Sequence, residues 1–214
     1  MGHRLSGGSL HFTAISEWMM EHVRAIGDWS MIPNGVPLSS YDFCPHVPPD
    51  APLVFLGRIE EIKGPHLAIE IARRTNRKLV IAGNIPSEKE AWVKAHVMPH
   101  VDGDRVTFIG PVDDVQKNRL LGSAAAFMMP ILWEEPFGIV MAEAMACGTP
   151  VVGMRRGAVP EVVDHGVTGF VGDLGKIDRA SCRLKVENEY SDLAVVEAYE
   201  RLYLDLLGRS RQRA

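Results

Sequence analysis

Short apolar runs bounded by Gly or Pro recur along the middle of the chain: Leu53 to Leu56, Lys78 to Ala82, Val106 to Ile109, Ala124 to Pro130 and Pro150 to Gly153. Runs of this length predict strands buried on both faces. Between them the apolar spacing changes to that of helices. Pro65 to Arg74 places Leu67, Ile69, Ile71 and Ala72 near one stripe, Ser87 can cap a helix through His100, and Asp113 can cap one through Leu121. Strand then helix, repeated, predicts an α/β protein built on a doubly wound parallel sheet.

Both ends depart from that alternation. Residues 1–43 hold one strand-like run (Leu10 to Ile15), one helix-like run (Glu17 to Ile26) and a sharp turn at Pro33-Asn34-Gly35. Residues 44–52 carry Pro45, Pro48, Pro49 and Pro52 and read as a stiff linker. The sheet unit then occupies 53–176. Residues 177–214 predict only helix, from Ile177 to Glu189 and from Ser191 to Leu207.

Charge and composition remove several function classes. The 214 residues carry a net charge of −4 and are 46% hydrophobic, so nothing calls for a nucleic-acid partner. No apolar run approaches the roughly 20 residues that cross a bilayer, and the first residues lack a secretory pattern. Cys44, Cys147 and Cys182 are odd in number and scattered, which fits reduced thiols in a cytosol. His66, His96, His100 and His165 show no metal spacing, and Met128, Met129, Met141 and Met145 read as core filling.

In an open parallel sheet, ligands bind beyond the carboxyl ends of the strands. Gly57-Arg58 follows the first strand and Lys63-Gly64 opens the next helix, two cations beside glycines that suit a diphosphate. The second candidate is Trp133 to Gly148, where Pro136 reads as a first-turn residue and Gly148 as a stop. Free N–H groups at Gly138, Ile139 and Val140 would attract phosphate at the positive end of that helix. Glu135 and Glu143 would lie about 12 Å apart along a straight helix, too far for a paired role. A carboxylate also accepts well from the vicinal hydroxyls of a ribose. Arg155 to Glu161 reads equally as a further helix start or an ordinary loop, and Gly110-Pro111-Val112 could offer backbone groups to a base. For each charged residue an ordinary solvated position is the competing reading.

Together these residues resemble the carboxyl-terminal domain of the retaining glycosyltransferases of family 4, which have the two-domain GT-B fold. The likeness runs from about Ser16 to Asp173. It rests on Ser16-Glu17, Ile32-Pro33-Asn34-Gly35-Val36, Gly57-Arg58 with Lys63-Gly64, Val106 to Gly110, and Gly166 to Val171. Most specific is Glu135-Pro136-Phe137-Gly138 followed by Glu143 to Val152, two Glu separated by seven residues. The resemblance implies a Rossmann-like domain that binds a nucleotide-diphosphate sugar with no essential metal or other cofactor. Arg58, Lys63 and Glu135 would be the catalytic residues, the cations neutralising the diphosphate and Glu135 touching the transferred sugar. Glu143 would take the ribose hydroxyls and Val112 the base, with Gly57, Phe137, Gly138, Ile139 and Val140 completing the donor site.

Members of that family carry an amino-terminal acceptor domain of which only the last strand and helix are expected here, and a further helix for which residues 173–177 leave no room. A glycosyltransferase half is the first expectation, its acceptor domain supplied elsewhere and its acceptor unknown. A lipid acceptor would bring it to a membrane surface. A nucleotide-sugar-binding module without transfer is the alternative, and an epimerase of similar architecture a third. Trp18, Met19, Val196, Tyr199 and Leu202 are expected to form an exposed apolar face that drives self-association.

Overall fold

In the computed structural model, which describes residues 10–169 and 177–212, the amino-terminal strand shortens to β1 (Phe12–Ala14). Helix α1 (Glu17–Val23) follows, with the Ser16 hydroxyl accepting from the Met19 N–H at 3.1 Å, and then one turn of tighter helix, Arg24–Ile26. Next comes a strand that the sequence pattern does not predict. β2 (Trp29–Met31) pairs in parallel with β1, and Phe12 stacks on Trp29 at 4.8 Å. Three residues hemmed in by Asp28 and Pro33 are too short to show an alternation.

A connector leads to the main sheet. Its strands are β3 (Leu53–Leu56), β4 (Leu79–Ala82), β5 (Val106–Gly110), β6 (Ala126–Met129) and β7 (Val151–Gly153), all parallel in the order β5-β4-β3-β6-β7. Helices α2 (Pro65–Arg74), α3 (Glu90–His96), α4 (Asp114–Gly122), α5 (Ile139–Ala146) and α6 (Val159–Val162) connect or follow them. This is the doubly wound α/β architecture that the strand–helix alternation predicts.

Period two divides the sheet between two cores. Leu53, Phe55, Leu79, Ile81 and Met128 pack with Ala68, Ile69 and Val93 of α2 and α3. Val54, Phe127 and Met129 face the other way, onto Met141, Ala144 and Met145 of α5 and Val186 beyond it. The methionines of the sheet and of α5 are core residues, as expected. At the start of α4, Asp113 accepts from the Gln116 N–H while the Gln116 side chain returns to the Asp113 N–H, a reciprocal cap. Ser87 does not cap a helix through His100. Its hydroxyl contacts Glu88, a tight turn (Ser87–Lys89) precedes α3, and a second one containing Pro99 (Met98–His100) follows it. Proline cannot supply the amide that a continuous helix needs there.

The carboxyl-terminal helices are α7 (Arg179–Glu189) and α8 (Asp192–Gln212). Arg179 is buried at the head of α7. Its guanidinium donates to the carbonyls of Cys44, Ala124 and Gly122 at 2.6, 2.9 and 3.0 Å and to the Thr149 hydroxyl at 2.8 Å. One side chain thus ties the connector, the α4–β6 turn and the end of α5 to α7.

Of the face expected to drive association, only Val196 is exposed. Trp18, Met19, Tyr199 and Leu202 are partly covered, Tyr199 lying 3.5 Å from the Thr13 hydroxyl. The exposed apolar side chains of α8 are Leu193, Val196, Tyr203, Leu204 and Leu207. Phe170, Val171 and the stretch from 173 towards 177, on which expectations also fall, lie outside the described residues. Among the described residues no helix is long and apolar enough to cross a membrane.

Candidate functional site

The strand order turns back at β3: the chain winds outward through β4 and β5, then returns to lay β6 on the other side of β3. Such a reversal opens a crevice outside the carboxyl ends of the two strands. Two cavities lie along it. One, of about 220 Å³, is lined by Gly57, Arg58, Lys63, Glu135, Gly138, Ile139 and Val140. The other, of about 360 Å³, is lined by Gly83, Asn84, Val112, Asp114, Lys117 and Glu143. They share Leu56, Gly57, Arg58, Ile139 and Val140, so they form one continuous groove.

At the first end, Gly57 donates its amide to Ala82 O at 3.1 Å and turns its bare face to open space. Arg58 leaves this turn half-exposed, with Nη2 3.0 Å from the buried Glu60 carboxylate. Lys63 ends the tight turn Glu61–Lys63, which is fastened to the opposite wall by Leu132 N–H donating to Ile62 O at 2.8 Å. Its ammonium lies 2.9 Å from Glu135 Oε2 and 4.3 Å from the centre of the Trp133 ring. Both cations therefore face the groove while leaning on carboxylates of their own chain.

The helix beyond Glu135 starts later than its proline suggests. Pro136 and Phe137 precede it, Gly138 takes a left-handed backbone (φ +77°), and Ile139 is the first helical residue. Gly138 O accepts from Met141 N–H at 2.9 Å. Among the described residues no acceptor reaches the amides of Gly138, Ile139 or Val140, which line the groove at the positive end of α5. The bend gives Glu135 and Glu143 separate places, one in each cavity. Glu135 is further held through its backbone, its carbonyl accepting from Ala158 N–H at 2.8 Å. Its neighbour Glu134 takes Arg156 and the Gly157 amide instead.

At the second end, Glu143 is 8% exposed and is held by one cation and one phenol. Its Oε1 accepts from the Tyr41 hydroxyl at 2.6 Å and from Lys117 Nζ at 2.8 Å, and Lys117 also lies 3.1 Å from Asp114. Burial, reinforced by the hydrogen bond to Glu143, pushes the Tyr41 phenol well above its ordinary range. Burial opposes the Lys117 charge, but the hydrogen bonds to Glu143 and Tyr41 outweigh it and keep the ammonium protonated.

The structure thus gathers Gly57, Arg58, Lys63, Glu135, Gly138, Ile139, Val140, Val112 and Glu143 along one groove. Phe137 lies outside that groove. It is buried, meets Tyr190 edge-on at 5.5 Å, and lines a different cavity together with Ser16, Glu161 and Tyr190. An aromatic ring next to a core tyrosine gains more from packing than from a polar groove. Tyr41 and Lys117 escape the sequence reading. Lys117 sits on the same helix face as Asp114, three positions earlier, which is the signal that would have found it; Tyr41 arrives from a connector and carries none. Among the described residues no group of three or more His, Cys, Asp or Glu is placed to hold a metal ion.

Residues 46–186 match the model of a family described as "Glycosyl transferases group 1". The chain is 36% identical over 157 residues to the N-acetyl-alpha-D-glucosaminyl L-malate synthase of Bacillus anthracis, a match that takes in 64% of this chain and 40% of that protein. Among solved structures, the sucrose-phosphate synthase of Thermosynechococcus elongatus superposes with a TM-score of 0.78 at 23% identity, over 93% of this chain and 59% of that one. Anabaena Alr3699/HepE, in complex with UDP and glucose, does so with a TM-score of 0.76 at 21% identity, over 90% and 62%. These two likenesses are of fold. The chain spans less than two thirds of each of these proteins.

Proposed function

We propose, from the premise that this chain belongs to the glycosyl transferases group 1 family, that its groove holds the nucleotide-diphosphate sugar donor of a retaining transfer. The observation that carries this is the convergence of Arg58, Lys63 and the free amides of Gly138, Ile139 and Val140 on one cavity at the sheet's reversal. Two cations and a helix terminus suit a diphosphate. They would do more than bind it. When the bond between the sugar and the β-phosphate oxygen breaks, negative charge grows on that oxygen, and fixed positive groups nearby lower the barrier. In this reading Arg58 and Lys63 supply the positive charge without a divalent metal or other cofactor. Glu135 contacts the sugar, Glu143 takes the ribose hydroxyls, and Val112 lies beside the base. A structural neighbour bound to UDP and glucose supports this class of ligand.

Transfer also needs an acceptor held in line and water kept out. The matched stretch is 40% of the curated relative, so we assign the acceptor to protein outside it: a further domain, a separate chain or a second copy. A lipid acceptor would add peripheral contact with a membrane. The three free thiols favour the cytoplasm. The same partial coverage favours a second reading, in which the domain binds a nucleotide sugar without transferring it.

Thermal shifts with a panel of nucleoside diphosphates and their sugars test the donor site, because a ligand of the folded state raises the melting temperature. A panel without any shift defeats it. Labelled-donor assays with and without extracts containing partners then separate the readings: incorporation into an acceptor supports transfer, and binding without turnover supports the module.

A further inference from the structure

The connector between β2 and β3 is fastened at its middle, from Tyr41 to Cys44. Tyr41 O accepts from Arg183 Nη1 at 2.8 Å, and the Asp42 and Cys44 amides donate to Asn118 Oδ1 and Cys147 O, both at 3.0 Å. Arg179 Nε closes the set on Cys44 O. Held at these points, the Tyr41 ring is buried, outside the lining of both groove cavities, and its hydroxyl ends on Glu143. Any backbone carbonyl would satisfy a buried phenol. This one instead spends its proton on the carboxylate that lines the nucleoside end of the groove.

Oε1 of Glu143 therefore receives two donors, Tyr41 from the connector and Lys117 from α4. Among the described residues no donor reaches Oε2, which is left for a ligand. A glutamate has three rotatable bonds, and fixing one oxygen from two directions sets where the other one points.

We infer that Tyr41 is a positioning residue, which holds the Glu143 carboxylate in the orientation that distinguishes ribose from deoxyribose. The inference rests on the reading of the groove as a nucleotide site. It adds a coupling: Tyr41 belongs to the connector, so a displacement of the connector that carries Tyr41 with it loosens the grip on the nucleoside.

Calorimetry of the wild type, Tyr41→Phe, Glu143→Gln and the double variant, with UDP, GDP, ADP and their 2′-deoxy counterparts, tests this. The wild type should prefer the ribo form of the diphosphate it binds. Tyr41→Phe should reduce that preference by about tenfold, the scale of one hydrogen bond to a charged group. In the Glu143→Gln background it should reduce it no further. Arg183→Met, which frees the Tyr41 carbonyl from outside the groove, should lower the preference in the same direction. If Tyr41→Phe melts at a lower temperature but keeps the full preference, the hydroxyl is structural and the inference is overturned; an unchanged preference in Arg183→Met overturns it too, should Tyr41→Phe not fold. A wild type that binds none of the six overturns the nucleotide reading itself.

Discussion

Lys63 and Glu135, 72 positions apart in the chain, form an ion pair of 2.9 Å in which both side chains are mostly shielded from water. A ligand's phosphate must therefore compete with a carboxylate for this ammonium. Lys63→Ala should weaken binding of a nucleoside diphosphate by about tenfold or more while hardly changing that of the nucleoside, since a charge-assisted contact is lost. Glu135→Gln should do the opposite, tightening the diphosphate by about threefold as the competing charge disappears. Titration calorimetry with matched nucleosides and diphosphates reads both, and equal losses for the two ligands in Lys63→Ala would remove the phosphate assignment.

Gly157 decides where Glu135 sits. Its backbone is left-handed (φ +57°), and a Cβ there would lie 2.2 Å from Glu135 O and 2.4 Å from Glu135 N. Neither atom can move without shifting the carboxylate beside Lys63. Gly157→Ala should cost about 2 kcal/mol or more of stability and weaken ligand binding even though residue 157 carries no side chain. Denaturant unfolding and a binding assay on the same variant check the pair of effects.

Arg179 is a buried cation whose partners are carbonyls and a hydroxyl. Arg179→Met, of similar length, would leave those oxygens without a donor and should destabilise the fold by about 3 kcal/mol. Arg179→Lys should recover little of it, because one ammonium cannot reach acceptors arrayed around a planar fork. Urea melts of the two variants would show the ranking; a lysine variant as stable as the wild type would contradict it.

His66 has a buried Nδ1 with no hydrogen-bond partner among the described residues and packs edge-on to Trp92 at 5.2 Å. Burial lowers its pKa, only partly offset by Glu61. The unfolded chain then binds a proton more readily, near the ordinary value of about 6.5. Stability from this group is thus full above that pH and is lost as pH falls towards the depressed folded value. The melting temperature of the wild type should drop more steeply between pH 7 and pH 5 than that of His66→Phe. Parallel curves would show that His66 titrates alike in both states.

Local patterns on the chain carry much of this architecture. Each predicted strand of the main sheet forms within a residue or two of its apolar run, α2 matches its pattern from Pro65 to Arg74, and the Asp113 cap is where an acid before a helix should be. The rule that ligands collect at strand ends leads to Arg58 and Lys63, and the helix after Glu135 leads to Glu143; all three line the groove. What was not legible depends on distant partners. Tyr41 acts through a residue 102 positions away and Arg179 through residues 30 to 135 positions away, and neither belongs to a local motif. Phe137 sits inside a site motif, but the chain turns at Gly138 and sends it into the core. Strand β2 exists because Phe12–Ala14 offers it an edge, which three residues cannot announce.

The turn at Gly138 also makes the interval between the two glutamates a ruler. Adding one residue within α5 would swing Glu143 about 100° around the helix, away from Tyr41 and Lys117. An extra residue before Gly138 would keep the helical register of Glu143 but would have to fit between Glu135, whose backbone meets Ala158 and Gly157, and Phe137, which is seated in the core. Both halves of the interval are therefore fixed by geometry, the helical half by the register of Glu143 and the half ahead of the glycine by the seats of Glu135 and Phe137.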